Sequence, residues 1–238
     1  MGIQGDFVIS HRWLLAAVLC CISIAPVHSA PLPCQDPMLA VDAMDDAMTR
    51  QLCTMAIEIL DQLQGCGLKQ SRALTLEIVD EASHPLASCL AYFDCDYDLV
   101  RITDPSTWSL LLEDDYSYAS LPTEVTLRAV LTHEITHALV TQTAGDRRVP
   151  MVDHEYIAAS MDLELMEEGW RDVLLAVTPL ELPPKEGLIN IWIYGFAPRK
   201  FGVNAWQHFS LPENGCSLVQ RIVNGDASFF KSVRPELQ

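Results

Sequence analysis

The residues whose chemistry stands out are His133, Glu134 and His137, in the run His133-Glu134-Ile135-Thr136-His137. Side chains four apart on a helix lie on one face, so both imidazoles can reach a single cation. Glu134 then stands beside the open coordination position. The two intervening residues are uncharged, and Ala138, Leu139 and Val140 continue the apolar character. Two imidazoles and a carboxylate on such a helix are costly to bury without a partner, and a metal ion supplies one.

For that chelate to form, the run must be helical. Leu127, Leu131, Ile135 and Ala138 keep one apolar stripe, with Pro122 near the first turn and Gly145 just past the end, which predicts a helix over 123–142. Apolar residues spaced by three and four from Met38 to Leu63 predict an earlier helix over 37–64, closed by Gly65 and Gly67. Between these, residues 74–78 alternate as a half-buried strand and 99–103 form a second strand. Residues 83–98 read as a loop or hairpin, 106–112 as a short helix or strand, and 113–120 as an acidic surface connection. Downstream, 154–177 reads as helix with a break near Gly169, 188–194 as extended, and the stretches 204–209 and 218–223 as mixed short helix and loop.

The motif resembles the active-site helix of the zincin metallopeptidases, over about twenty residues. In that family the third ligand sorts the members. The metzincin pattern needs a glycine and then a histidine soon after the second histidine, and 138–143 holds neither. The gluzincin pattern needs a glutamate on a following helix, and Glu155 stands 18 residues after His137, beyond the turn at 145–150. Glu155 is therefore the expected third ligand, with His154 and Asp153 as rivals, since neighbouring helical residues point about 100° apart and only one can face the ion. Thermolysin-like enzymes carry an aspartate four residues beyond that glutamate. Here the position is Ala159, so another partner must orient the histidine, and Asp162 is one candidate. The chain is also similar to exported bacterial proteins carrying this motif.

The resemblance implies an α+β, zincin-like single domain, with a small twisted sheet packed on the motif helix and on a second ligand helix. It implies one zinc ion held by His133, His137 and Glu155, Glu134 as general base, and His208 or Tyr194 as the group that stabilises the oxyanion. By analogy an edge strand within 91–98 binds an extended peptide or protein substrate. Two other classes share these residues: a non-catalytic exported zinc-binding protein, and an inert disulfide-stabilised interaction module.

Composition bounds the rest. Arg12, an apolar run over 13–25, Pro26 and the small residues Ser29 and Ala30 read as a secretory signal over 1–30, leaving 31–238 as one domain. Export to a periplasmic or extracellular space follows, without membrane attachment once the signal is cleaved. Six cysteines remain after residue 30, an even number that favours disulfides in an exported chain. Cys89 and Cys95 are positioned to close a small loop, whereas Cys53 and Cys66 on one straight helix stand roughly 20 Å apart and cannot pair. A net charge of -17 repels phosphate backbones and argues against nucleic-acid partners.

Overall fold

The computed structural model describes residues 31–84, 87–112 and 117–230. The expected signal over 1–30 lies outside the described residues. Within them the chain is a single α+β domain built on a small mixed sheet, as expected.

The sheet runs β1 (Leu32–Pro33), β2 (Leu39–Asp42), β3 (Leu74–Val79), β7 (Leu99–Thr103), β6 (Ala91–Asp94). β2, β3 and β7 are parallel, and β1 and β6 are antiparallel edges. A two-stranded ribbon, β4 (Ala82–His84) with β5 (Ala87–Cys89), precedes β6. The central strands bury one face: Leu39, Val41, Leu74, Leu76, Val100 and Ile102 are essentially inaccessible, and Thr75, Glu77 and Arg101 between them are half-exposed. Arg101 bridges Glu77 and Asp94 on that outer side.

The buried face shares one core with α1 (Asp46–Gly65) and α3 (Thr123–Ala144), through Leu52, Ile59 and Leu63 of the first and Leu131, Ile135 and Leu139 of the second. The short α2 (Trp108–Leu111) buries Trp108, whose indole N–H donates to Thr103 O. After α3, Gly145 turns the chain at a φ of 61° that L side chains rarely adopt, and α4 (Met151–Glu164) folds back along α3. α5 (Glu168–Val177), α6 (Ile191–Phe196), α7 (Pro198–Phe209) and α8 (Gly215–Asn224) complete the helical layer, and α4 packs on α7.

Two expectations about these elements need correction. The helix expected over 37–64 begins only at Asp46, where the Asp45 side chain accepts from the amides of Ala47 and Met48. Residues 39–42 instead form β2, in register with β3 (Leu39 opposite Leu74, Val41 opposite Leu76). A short apolar strand running into an amphipathic helix mimics continuous helical spacing. Residues 188–194 are not extended: a 3₁₀ turn over Glu186–Leu188 leads into α6, whose first amides are capped by the Asn190 side chain. The helical stretch over 154–177 is broken just ahead of Gly169, as expected, and divides into α4 and α5, three residues apart.

The disulfides are Cys34–Cys53 and Cys66–Cys216, with Cα separations of 5.5 and 5.0 Å. The expected Cys89–Cys95 bridge does not form, and both remain thiols. β6 runs extended between them, at about 3.3 Å per residue, and carries the two sulfurs out of bonding range. Cys53 and Cys66 do not pair with each other, as the helix geometry requires. Among the described residues no helix is long and apolar enough to cross a membrane.

Candidate metal centre

The motif sits in the middle of α3, where Ile135 and Thr136 point into the core and are fully buried. The turn at 133–137 is thus oriented by its apolar neighbours, which leaves His133 and Glu134 lining a cavity of about 720 Å³ and groups His137 with His133. The two rings meet edge to face, with Nε2 of His133 3.2 Å from Nε2 of His137. Glu155, on the adjoining α4, brings Oε2 to 3.5 Å from His133 Nε2 and Oε1 to 3.7 Å from His137 Nε2. Donor atoms on a tetrahedral zinc, with bonds near 2.0–2.1 Å, stand about 3.3 Å from one another. The three side chains are therefore a group that could hold a metal ion. Glu155 Oε2 is buried without a hydrogen-bond partner of good geometry, the state of a carboxylate oxygen reserved for a cation.

The protonation states reflect this crowding. Burial opposes charge on His133, but the carboxylates of Glu155, Glu134 and Asp162 outweigh it and push the imidazole up to about 9. Burial pulls His137 down to about 3. Glu155 also resists ionisation through burial, yet the two histidines and a hydrogen bond from Tyr194 hold it at about 2. Glu134 is pushed up to about 7 by burial, tempered by His133 and by the backbone N–H of Phe93 on β6, which donates to its carboxylate.

The rival ligands are placed elsewhere. Asp153 is fully buried and accepts from Ser228 Oγ at 2.5 Å and from the Phe229 amide at 2.7 Å, pinning the C-terminal segment. His154 lies behind His137, Nδ1 to Nδ1 at 3.4 Å, on the side of the ring away from Glu155. Ala159 lines the cavity where α4 meets α7, with its Cβ only 3.8 Å from where a side chain on Gly202 would begin. Asp162, one turn further, is buried, accepts a hydrogen bond from Tyr118 and acts electrostatically on His133. Burial pushes its carboxyl up to about 6.

Of the two groups expected to face a developing oxyanion, Tyr194 lines the cavity and bonds Glu155. His208 does not line it: its Nδ1 is 3.0 Å from the Tyr156 hydroxyl, and Asn214 donates to its backbone carbonyl. The antiparallel edge strand β6 contributes Ala91 to the cavity wall that also holds Glu134.

Sequence reasoning missed Tyr118 and the wall formed by Leu174, Val177, Phe196, Arg199 and Lys200. Tyr118 belongs to an acidic stretch without periodicity. The adjacent cations Arg199 and Lys200, in a chain with 15 basic and 32 acidic residues, were a visible signal.

No curated protein and no solved structure is recognisably similar to this chain. A family description does match, over residues 39–232, which take in every element from β2 to α8. The chain belongs to that family of unknown function, DUF6639.

Proposed function

We propose that the protein is an exported zinc-dependent hydrolase acting on peptides or proteins, with His133, His137 and Glu155 as ligands and Glu134 as general base. The observation that carries this reading is the convergence of three side chains, with donor atoms of His133, His137 and Glu155 paired at 3.2–3.7 Å, beside a half-buried carboxylate raised to about 7. Zinc held there supplies Lewis acidity toward a carbonyl and makes water acidic near neutral pH. Glu134, poised near the working pH, accepts the proton of the attacking water and returns it to the leaving amine. Tyr194 turns its phenolic O–H from Glu155 to the oxyanion. The open edge of β6 pairs with an extended substrate backbone. Two disulfides fit an oxidising, exported setting.

The experiment is a comparison of the zinc-loaded protein with its Glu134→Gln variant on a broad peptide panel. One zinc per chain in both, with turnover only in the unaltered protein, is expected. Equal turnover in the two removes Glu134 as the base. Metal binding without turnover in either favours a non-catalytic zinc-binding protein.

A further inference from the structure

The cavity over the metal centre carries acidic and imidazole groups at the α3–α4 end, from Glu134, Glu155, Asp162 and His133. Its wall also carries two adjacent cations, Arg199 and Lys200, on the first turn of α7, and among the described residues no other Lys or Arg lines it. Most basic residues of this chain with a defined contact are committed: Arg72, Arg101, Arg128 and Lys185 each pair with a carboxylate, and Arg171 stacks on Trp206 and bonds backbone carbonyls. Among the described residues Arg199 and Lys200 make neither an ion pair nor a hydrogen bond. Arg199 is nevertheless half-buried.

A half-buried guanidinium without a partner has given up part of its hydration for nothing in return within the fold. The setting sharpens the point. A surface of net charge -17 repels anionic ligands at long range, so a carboxylate enters this cavity only where the potential is locally reversed. Two neighbouring cations do that, and the guanidinium fork matches a carboxylate with two parallel hydrogen bonds. Leu163 and Leu174, both buried, add apolar wall to the same cavity, and a lowered local dielectric strengthens such a pair.

We infer that Arg199 and Lys200 form a carboxylate-recognising subsite, which makes the preferred substrate a peptide with an acidic group near the bond that is cut. This rests on the peptide reading above and adds the substrate's charge to it. The carboxylate has two possible sources, an Asp or Glu side chain or the free C-terminus of the peptide.

The test uses short alanine-based peptides carrying Glu, Gln or Lys at each position in turn, each made as C-terminal acid and as amide. Binding is measured on the full-length zinc-loaded Glu134→Gln protein, and turnover on the unaltered protein. The expected result is roughly fivefold tighter binding of the carboxylate-bearing member of a pair, collapsing toward unity in the Arg199→Gln/Lys200→Gln double variant. In Arg199→Glu/Lys200→Glu the preference passes to the Lys peptides. A Glu-over-Gln ratio assigns the side chain, and an acid-over-amide ratio assigns the C-terminus. Each ratio is internal to one variant, so a lower folded fraction does not imitate its loss. Equal binding within every pair, or a preference that survives the double variant, overturns the subsite. Turnover indifferent to charge overturns the subsite and leaves the peptidase reading standing. A carboxylate preference in binding without turnover does the reverse.

Discussion

Nδ1 of His154 stands 3.4 Å from Nδ1 of His137, while Nε2 of His137 faces His133 and Glu155. A histidine that ligates through Nε2 keeps its proton on Nδ1 and needs an acceptor there. His154, which burial holds below its ordinary pKa and hence neutral, is that acceptor. The residue that competed in sequence for the role of third ligand stands behind one of the proposed ligands instead.

His154→Ala is therefore expected to weaken zinc binding by about 10-fold or more. His154→Gln, which keeps an acceptor, should recover part of the loss. Chelator competition measures both. Unchanged affinity in His154→Ala would detach His154 from the metal centre, whereas Asp153→Ala should lower stability through the lost bonds to Ser228 and Phe229.

Zinc uptake should expel a proton. The metal takes neutral imidazole, and in the metal-free protein His133 is held protonated up to about 9, whereas His137, at about 3, is already neutral. Below pH 9 the affinity should rise by about tenfold per pH unit and level off above it. Titration calorimetry in buffers of differing ionisation heat reads the proton directly. A flat affinity between pH 6 and 8 would contradict the assignment.

Tyr194 touches both Glu155 and the cavity. If its hydroxyl serves the oxyanion, Tyr194→Phe lowers kcat by about 100-fold with little change in KM. A rise in KM at constant kcat assigns it to substrate binding instead.

The two disulfides should differ in worth. Closing a loop of 150 residues, Cys66–Cys216 contributes about 5 kcal/mol by the chain-entropy relation. Cys34–Cys53, spanning 19, contributes about 3 kcal/mol. Denaturant unfolding of Cys216→Ser and Cys34→Ser checks the order, and a reversed order would mean that native contacts outweigh chain entropy.

Asp98 joins Arg72 and Gln142, tying the start of β7 to the end of α3. The Arg72 hydrogen bond, followed by that from Gln142 and the attraction of the guanidinium, holds its carboxyl below 3.8. A depressed acid contributes stability above its unfolded pKa and loses it as pH falls through the folded value. Asp98→Asn, which also tolerates the φ of 48° there, should cost about 1 kcal/mol at pH 6, since Arg72 is well exposed. The difference should close below pH 3.8, and a gap that persists there would mean that charge is not its source.

The elements with a strong period were legible in advance. The α3 stripe ending at Gly145 and the strands around Leu74–Val79 and Leu99–Thr103 needed only local chemistry. β2 was not, because Leu39 and Val41 are strand residues only by virtue of lying opposite Leu74 and Leu76. α6 depended on the Asn190 cap, since a short apolar run serves helix and strand equally.

By itself the sequence determined that His133 and His137 share one helix face with Glu134 beside them, because a spacing of four on a helix is a local property of the backbone. Only the tertiary structure decided among Asp153, His154 and Glu155. Three consecutive residues on α4 point in three directions, and the packing of α4 against α3 and the C-terminal segment determines which of them meets the histidines. It also decided that Cys66 bonds Cys216 across 150 residues and that Arg199 and Lys200 face the cavity. Such long-range juxtapositions leave no periodic trace, because they depend on how distant segments are brought together and not on spacing along the chain.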